Sequence, residues 1–115
     1  MWVVLVGLLI TSASEPFTSN LFIPKAQTFL LGEGHQGDSY GVSIDNIGRT
    51  AVEARIVQRE DRTLITSLRI DRDEFVELNI PSETWVELEN LGPRRAHLTV
   101  VLKDGFVEGM RYVPN

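Results

Sequence analysis

From Gln27 onward, apolar side chains recur at every second position: Val42 and Ile44, then Val52, Ala54 and Ile56, then Val76, Leu78 and Ile80, then Ala96, Leu98, Val100 and Leu102. A period of two puts each set on one face of an extended strand, and the helical period of 3.6 is hard to find anywhere in the chain. Clusters of Gly, Pro, Asn and Asp bound these runs and place strands near residues 27–31, 39–45, 52–58, 63–70, 74–80, 84–89, 96–102 and 106–113. Each set fits one buried face of an antiparallel sheet. Eight short strands at turn-marked intervals predict an all-β chain, an antiparallel β-sandwich with a jelly roll or a small β-barrel as the alternative.

Before Gln27 the pattern changes. Trp2 to Ile10 is a charge-free apolar run, followed by the small residues Thr11-Ser12-Ala13-Ser14, which suit cleavage after Ala13 or Ser14. The run is far short of the roughly 20 apolar residues of a spanning helix. Residues 1–14 therefore read as a signal peptide that lacks a basic n-region, and the chain as exported to the periplasm or outside the cell; a first buried strand is the competing reading. Residues 15–26 read as a linker or N-terminal extension around Leu21-Phe22-Ile23, leaving residues 27–115 as a single domain.

An internal repeat runs through the alternation. Val42-Ser43-Ile44-Asp45-Asn46-Ile47-Gly48 matches Val86-Glu87-Leu88-Glu89-Asn90-Leu91-Gly92 position by position, and each copy leads into a further strand. Asn can hydrogen-bond its own turn backbone, and Gly tolerates turn conformations, so both copies read as strand–turn–strand units within one sandwich. The phrase SIDNIGRTAVEARIV, and more loosely ELENLGPRRAHLTVVL, resembles the strand–N-x-G–strand signature of bacterial immunoglobulin-like domains of the cell-adhesion-related repeat type. Leu30 to Val57 also resembles the opening of GOLD-type β-sandwich domains. The resemblance implies an immunoglobulin-like sandwich that is extracellular and non-catalytic, and it carries over no functional residue.

Composition narrows the chemistry. At 115 residues and 43% apolar content there is room for one modest core. A net charge of -5 disfavours nucleic acid and anionic membranes as partners. Without cysteine there is no disulfide, thiol nucleophile or thiolate metal site.

One loop invites a functional reading. Gly32-Glu33-Gly34-His35-Gln36-Gly37 has the G-x-G-x-x-G spacing of a dinucleotide-binding turn, but that turn works by opening a helix whose free N–H groups face a pyrophosphate. Here a strand pattern follows, and Glu33 and Asp38 would set negative charge against the phosphates, so nucleotide binding is not expected. Glu33, Asp38 and His35 offer metal donors without the spacing of a known calcium loop. A zinc or copper site would have to bring together His35 and His97, with Met110 or an acid as a further ligand. His97 alternates away from Leu98 and Val100 and reads as solvent-facing.

The acids mostly neighbour arginines, as in Arg59-Glu60-Asp61-Arg62 and Arg69-Ile70-Asp71-Arg72-Asp73, and read as solvated turns rather than an acid–base pair. No strained nucleophile turn is visible. Trp85 falls opposite Val86 and Leu88, on the side of Glu87 and Glu89, where an open ring would stack on a sugar or anchor a partner; packing beneath the Pro81 loop or the N-terminal segment is the favoured reading. Phe106, Met110 and Tyr112 share one face of the last strand and read as core or sheet edge. The expectation is a non-catalytic domain without cofactor that binds an unknown protein or cell-envelope component, its oligomeric state open. The alternatives are a small-ligand or carbohydrate module using Trp85, with His35 and Asp38 as further candidate binding residues, and a metal-binding protein using His35 or His97.

Overall fold

The computed structural model describes residues 16–35, 37–105 and 109–115. Residues 1–14, read as a signal peptide, lie outside the described residues, as do Gln36 and the residues 106–108 that were expected to open the last strand. Nine strands follow one another: β1 (Phe17–Ile23), β2 (Gln27–Leu31), β3 (Tyr40–Asn46), β4 (Val52–Gln58), β5 (Leu64–Ile70), β6 (Phe75–Ile80), β7 (Thr84–Asn90), β8 (Ala96–Leu102) and β9 (Arg111–Pro114). No helix occurs among the described residues. In particular, none is long and apolar enough to cross a membrane.

The main departure from the expected elements lies at β1, in the segment left outside the domain as a linker. Its inward positions are Phe17, Ser19, Leu21 and Ile23, and burial deepens only toward the last two. The polar Ser19 breaks the inward set, and Phe22 faces outward. That ring is covered by a stack with His97 at 4.1 Å and by the Arg95 guanidinium at 4.5 Å. Sequence alternation was therefore blurred where neighbours supply the cover. The last strand is also shorter than expected, Arg111–Pro114.

The strands form two antiparallel sheets, β1-β8-β3-β6 and β5-β4-β7-β2-β9. Pairing is nested: β4 with β5, β3 with β6, β2 with β7 and β1 with β8. The chain is thus one long hairpin with its tip between β4 and β5, rolled up so that β8 also meets β3 and β7 also meets β4. This is a jelly roll, the alternative to the immunoglobulin-like arrangement. An immunoglobulin sandwich pairs several sequence-adjacent strands, whereas here only β4 and β5 are both consecutive and paired. Alternation says which side of a strand is buried and nothing about which strand lies beside it.

The internal repeat becomes a rough two-fold in this topology. Exchanging β1–β4 with β5–β8 turns the order β1-β8-β3-β6 into β5-β4-β7-β2, and β9 is the one strand without a counterpart. Both N-x-G turns are built alike. Asn46 Nδ2 donates to Thr50 O and its Oδ1 accepts from Gly48 N. Asn90 Nδ2 donates to Arg94 O and its Oδ1 accepts from Gly92 N. Each Asn also reaches the end of a strand in the facing sheet, Asn46 to Ile70 O and Asn90 to Ile23 O. Both side chains are buried, so these bonds satisfy carbonyls that water cannot reach. Between the sheets the core is aliphatic, with Ile23, Val42, Ile44, Val52, Ile70, Ile80, Val86, Leu88 and Leu98 fully buried.

Candidate functional site

The glycine-rich loop is a turn clasped by an arginine. Gly32 has φ 83°, a left-handed conformation that favours glycine, and His35 N donates to Gly32 O at 3.1 Å. Arg59 donates from its terminal nitrogens to Gly32 O, Glu33 O and His35 O. A phosphate cradle presents N–H groups; this loop presents carbonyls, and a guanidinium already holds them. A Cβ on Gly109 would lie 2.2 Å from Gly34 N, so the segment before β9 packs directly on the loop. Asp38 is exposed, and its carbonyl lies 3.2 Å from His35 Nε2.

The two histidines stand at opposite ends of the sandwich. His35 meets the Tyr40 ring edge-on at 5.0 Å, at the start of β3, whereas the His97 carbonyl accepts from Gly48 N just beyond the end of β3. The seven residues of β3 span about 20 Å, so no single ion reaches both rings. His97 was expected to face solvent; it is half-buried against Phe22, and its Nε2 is buried without a partner among the described residues. Tyr40 Oη is buried in the same way, and burial pushes its pKa up to about 12. Among the described residues no group of three or more His, Asp or Glu stands together to hold a metal.

Trp85 lies on the outer face of the five-stranded sheet with Glu87 and Glu89, but only 6% of it is exposed, which leaves no open ring for a sugar. Its Nε1 donates to Glu87 Oε2 at 3.0 Å. Register places Glu53 opposite Glu89 and Arg55 opposite Glu87. Facing acids would repel, and Arg55 prevents this by bonding Glu53, Glu87 and Glu89 at once. Burial opposes the Arg55 charge, but the hydrogen bonds it donates to Glu89 and Glu53 outweigh it and hold the pKa above the usual arginine value. Alternation does not join these groups, since Arg55 lies 32 and 34 residues before Glu87 and Glu89 in the chain.

The two long margins of the sandwich differ. On one, β9 covers β2, Tyr112 Oη donates to Phe22 O at 2.6 Å across the sheets, and Met110 packs on the core. Tyr112 thus serves a sheet edge, as expected for its face. On the other, β5 and β6 are both edge strands. Here Leu64 is 55% exposed, Ile65 48% and Phe75 57%, and the inward-facing Leu68, Val76 and Leu78 are only partly buried. Leu91 N donates to Ala51 O and Arg59 N to Glu83 O, so odd-numbered residues of β4 bond toward β7 and even-numbered ones toward β5. Ser67 and Arg69 therefore direct their backbone N–H and C=O groups to the free edge, and past the register shift between Ile56 and Val57, where Val57 faces Leu64, so does Leu64. From Leu64 to Leu68 that edge carries no charge.

In sequence, no family model and no curated protein matches this chain. In structure it is similar to jelly-roll proteins. A Bacillus halodurans protein, BH2720, is 13% identical with a TM-score of 0.60 over 88% of this chain and 71% of that one. RmlC from Streptococcus suis, solved in complex with dTDP-D-xylose, is 14% identical with a TM-score of 0.55 over 81% of this chain and 46% of that one. Bacillus subtilis oxalate decarboxylase, studied for its Mn(II) centres, is 9% identical with a TM-score of 0.58 over 90% of this chain and 25% of that one. The chain thus spans about half of RmlC and a quarter of the decarboxylase. At such identities the likeness shows the fold alone.

Proposed function

We propose that this chain is a non-catalytic interaction domain, exported to the periplasm or outside the cell, that meets a protein partner along the β5–β6 margin. The observation that carries this reading is the uncharged, solvent-facing edge from Leu64 to Leu68 beside the exposed Phe75. Free backbone groups give such an edge affinity for another strand, and natural edges are usually guarded by charge, proline or shortness. Two of the other edges carry such guards: β9 is four residues ending in Pro114, and β6 bears the Glu77–Lys103 pair. The support for export is the apolar run Trp2 to Ile10 and the small residues after it.

The test is capture from an envelope extract with tagged wild type and tagged Ile65→Lys. The reading expects a protein retained by the first and lost by the second; equal capture by both would count against the margin. Mass spectrometry of the mature chain checks export, since a cytosolic product that retains Trp2 contradicts it. A sugar-binding role through the Trp85 ring is disfavoured by the burial of that ring.

A further inference from the structure

A chain of net charge -5 still has a basic end. The connections at the end holding both N-x-G turns, residues 24–26, 47–51, 71–74 and 91–95, carry Lys25, Arg49, Arg72, Arg94 and Arg95, with Arg69 close by on β5. Asp71, Asp73 and Glu74 oppose them in those connections, with Asp45 close by on β3 and Glu53 opposite Arg69 on β4. At the other end, Glu33, Asp38, Glu60, Asp61, Glu83 and Asp104 outnumber Arg59, Arg62 and Lys103. The charges are interleaved along the sequence, and the fold separates them.

Between the two turns lies a pocket of about 330 Å³ whose lining includes Arg49, Arg69, Arg94, Thr50, Leu91 and Pro93, and no acid. Arg69 is tied to Asp71 at 2.7 Å, whereas Arg49 and Arg94 have no carboxylate partner among the described residues. The walls are fixed. Asn46 and Asn90 brace the two turns from beneath, and Leu91 N donates to Ala51 O. A Cβ on Gly92 would lie 2.5 Å from Thr50 Cγ2, so the turns touch at that point. Arginines from three separate segments thus line one concavity, with Leu91 and Pro93 as apolar members of its wall.

We propose that this pocket binds a small organic phosphate, with Arg49 and Arg94 forking onto the phosphate oxygens and Leu91 and Pro93 against the organic body. Planar guanidinium forks suit phosphate oxygens, and charge-assisted bonds of this kind are about twice as strong as neutral ones. The proposal does not depend on the β5–β6 margin, which lies along the side of the sandwich. Its ligand enters at the end.

The test is an amide NMR titration of the full chain with phenyl phosphate, and with benzyl alcohol as the uncharged analogue. Saturable shifts confined to residues 47–51 and 91–95 are expected with phenyl phosphate alone, weakening as salt screens the charges. Arg49→Gln and Arg94→Gln should each weaken binding at least about fivefold, consistent with loss of a charged hydrogen bond. Arg49→Lys should be intermediate, because it keeps the charge and loses the fork. Arg72→Gln, outside the pocket, should change it less than about twofold. All three side chains are exposed, and an unchanged spectrum elsewhere confirms the fold. Absence of saturable shifts, or an equal loss with Arg72→Gln, would overturn the proposal.

Discussion

β2 and β6 hold equivalent places in the rough two-fold of the sandwich, yet one is buried and the other is not. Phe29 and Leu31 on β2 correspond to Val76 and Leu78 on β6, each pair set inward against the partner strand, β7 or β3. Phe29 and Leu31 are buried, whereas Val76 and Leu78 are only partly so. The difference is β9, which pairs with β2 and has no counterpart on β6. Burial of a strand is thus settled by the next strand over. A margin left without its ninth strand keeps free backbone groups and apolar side chains that a partner can use.

The largest change should come from the braces that both halves share. Asn90→Ala leaves the carbonyls of Ile23, Pro24 and Arg94 without their donor, and Asn46→Ala does the same to Thr50 and Ile70. Each should lose about 3 kcal/mol, read from urea unfolding. A near-neutral result for one of them would mean that the two turns are not equivalent. Next, Tyr112→Ala removes the edge-on contact with Phe29 at 5.2 Å and the bond to Phe22 O that closes the margin. About 2 kcal/mol should be lost, and about half of that in Tyr112→Phe, which keeps the ring.

A pH-dependent contribution to the closed margin comes from Glu33 and Arg111. The hydrogen bonds from Arg111, helped by the nearby charges of Arg62 and Arg59, hold the Glu33 carboxyl below its ordinary value against the smaller effect of burial. A depressed carboxylate stabilises the fold fully above the ordinary glutamate range and loses that contribution as pH falls through the folded value. Urea midpoints at neutral and acid pH should therefore fall further for wild type than for Glu33→Gln, and an equal fall would show the pair to be inert. The smallest effect on stability is expected at the open margin. Ile65→Lys should shift stability by no more than about 0.5 kcal/mol while abolishing association along β5.

Much of the sandwich was legible along the chain. The strands near 27–31, 52–58 and 96–102 stand where alternation placed them, and the Asn-x-Gly turns work through the Asn side chain as the repeat suggested. β1 was hidden because Ser19 occupies an inward position and Phe22 is covered from outside by His97 and Arg95. Trp85 was placed on the correct side, and its burial matches the packing reading rather than the open ring; alternation reports direction and not cover. The arginine pocket was invisible for a further reason: Arg49 and Arg94 lie in separate loops and Arg69 on β5, far apart in sequence.

By itself, the sequence determined that the chain is all-β, which side of most strands faces the core, and where two tight turns fall. Those properties rest on periodicity and on the local chemistry of Asn and Gly, which need no distant partner. Only the tertiary structure decided that the strands nest as a jelly roll, that β9 closes one margin and leaves the other open, and that cations gather at one end of an acidic chain. Each of these depends on which remote segments become neighbours, and that is fixed by long-range pairing rather than by any pattern within a strand.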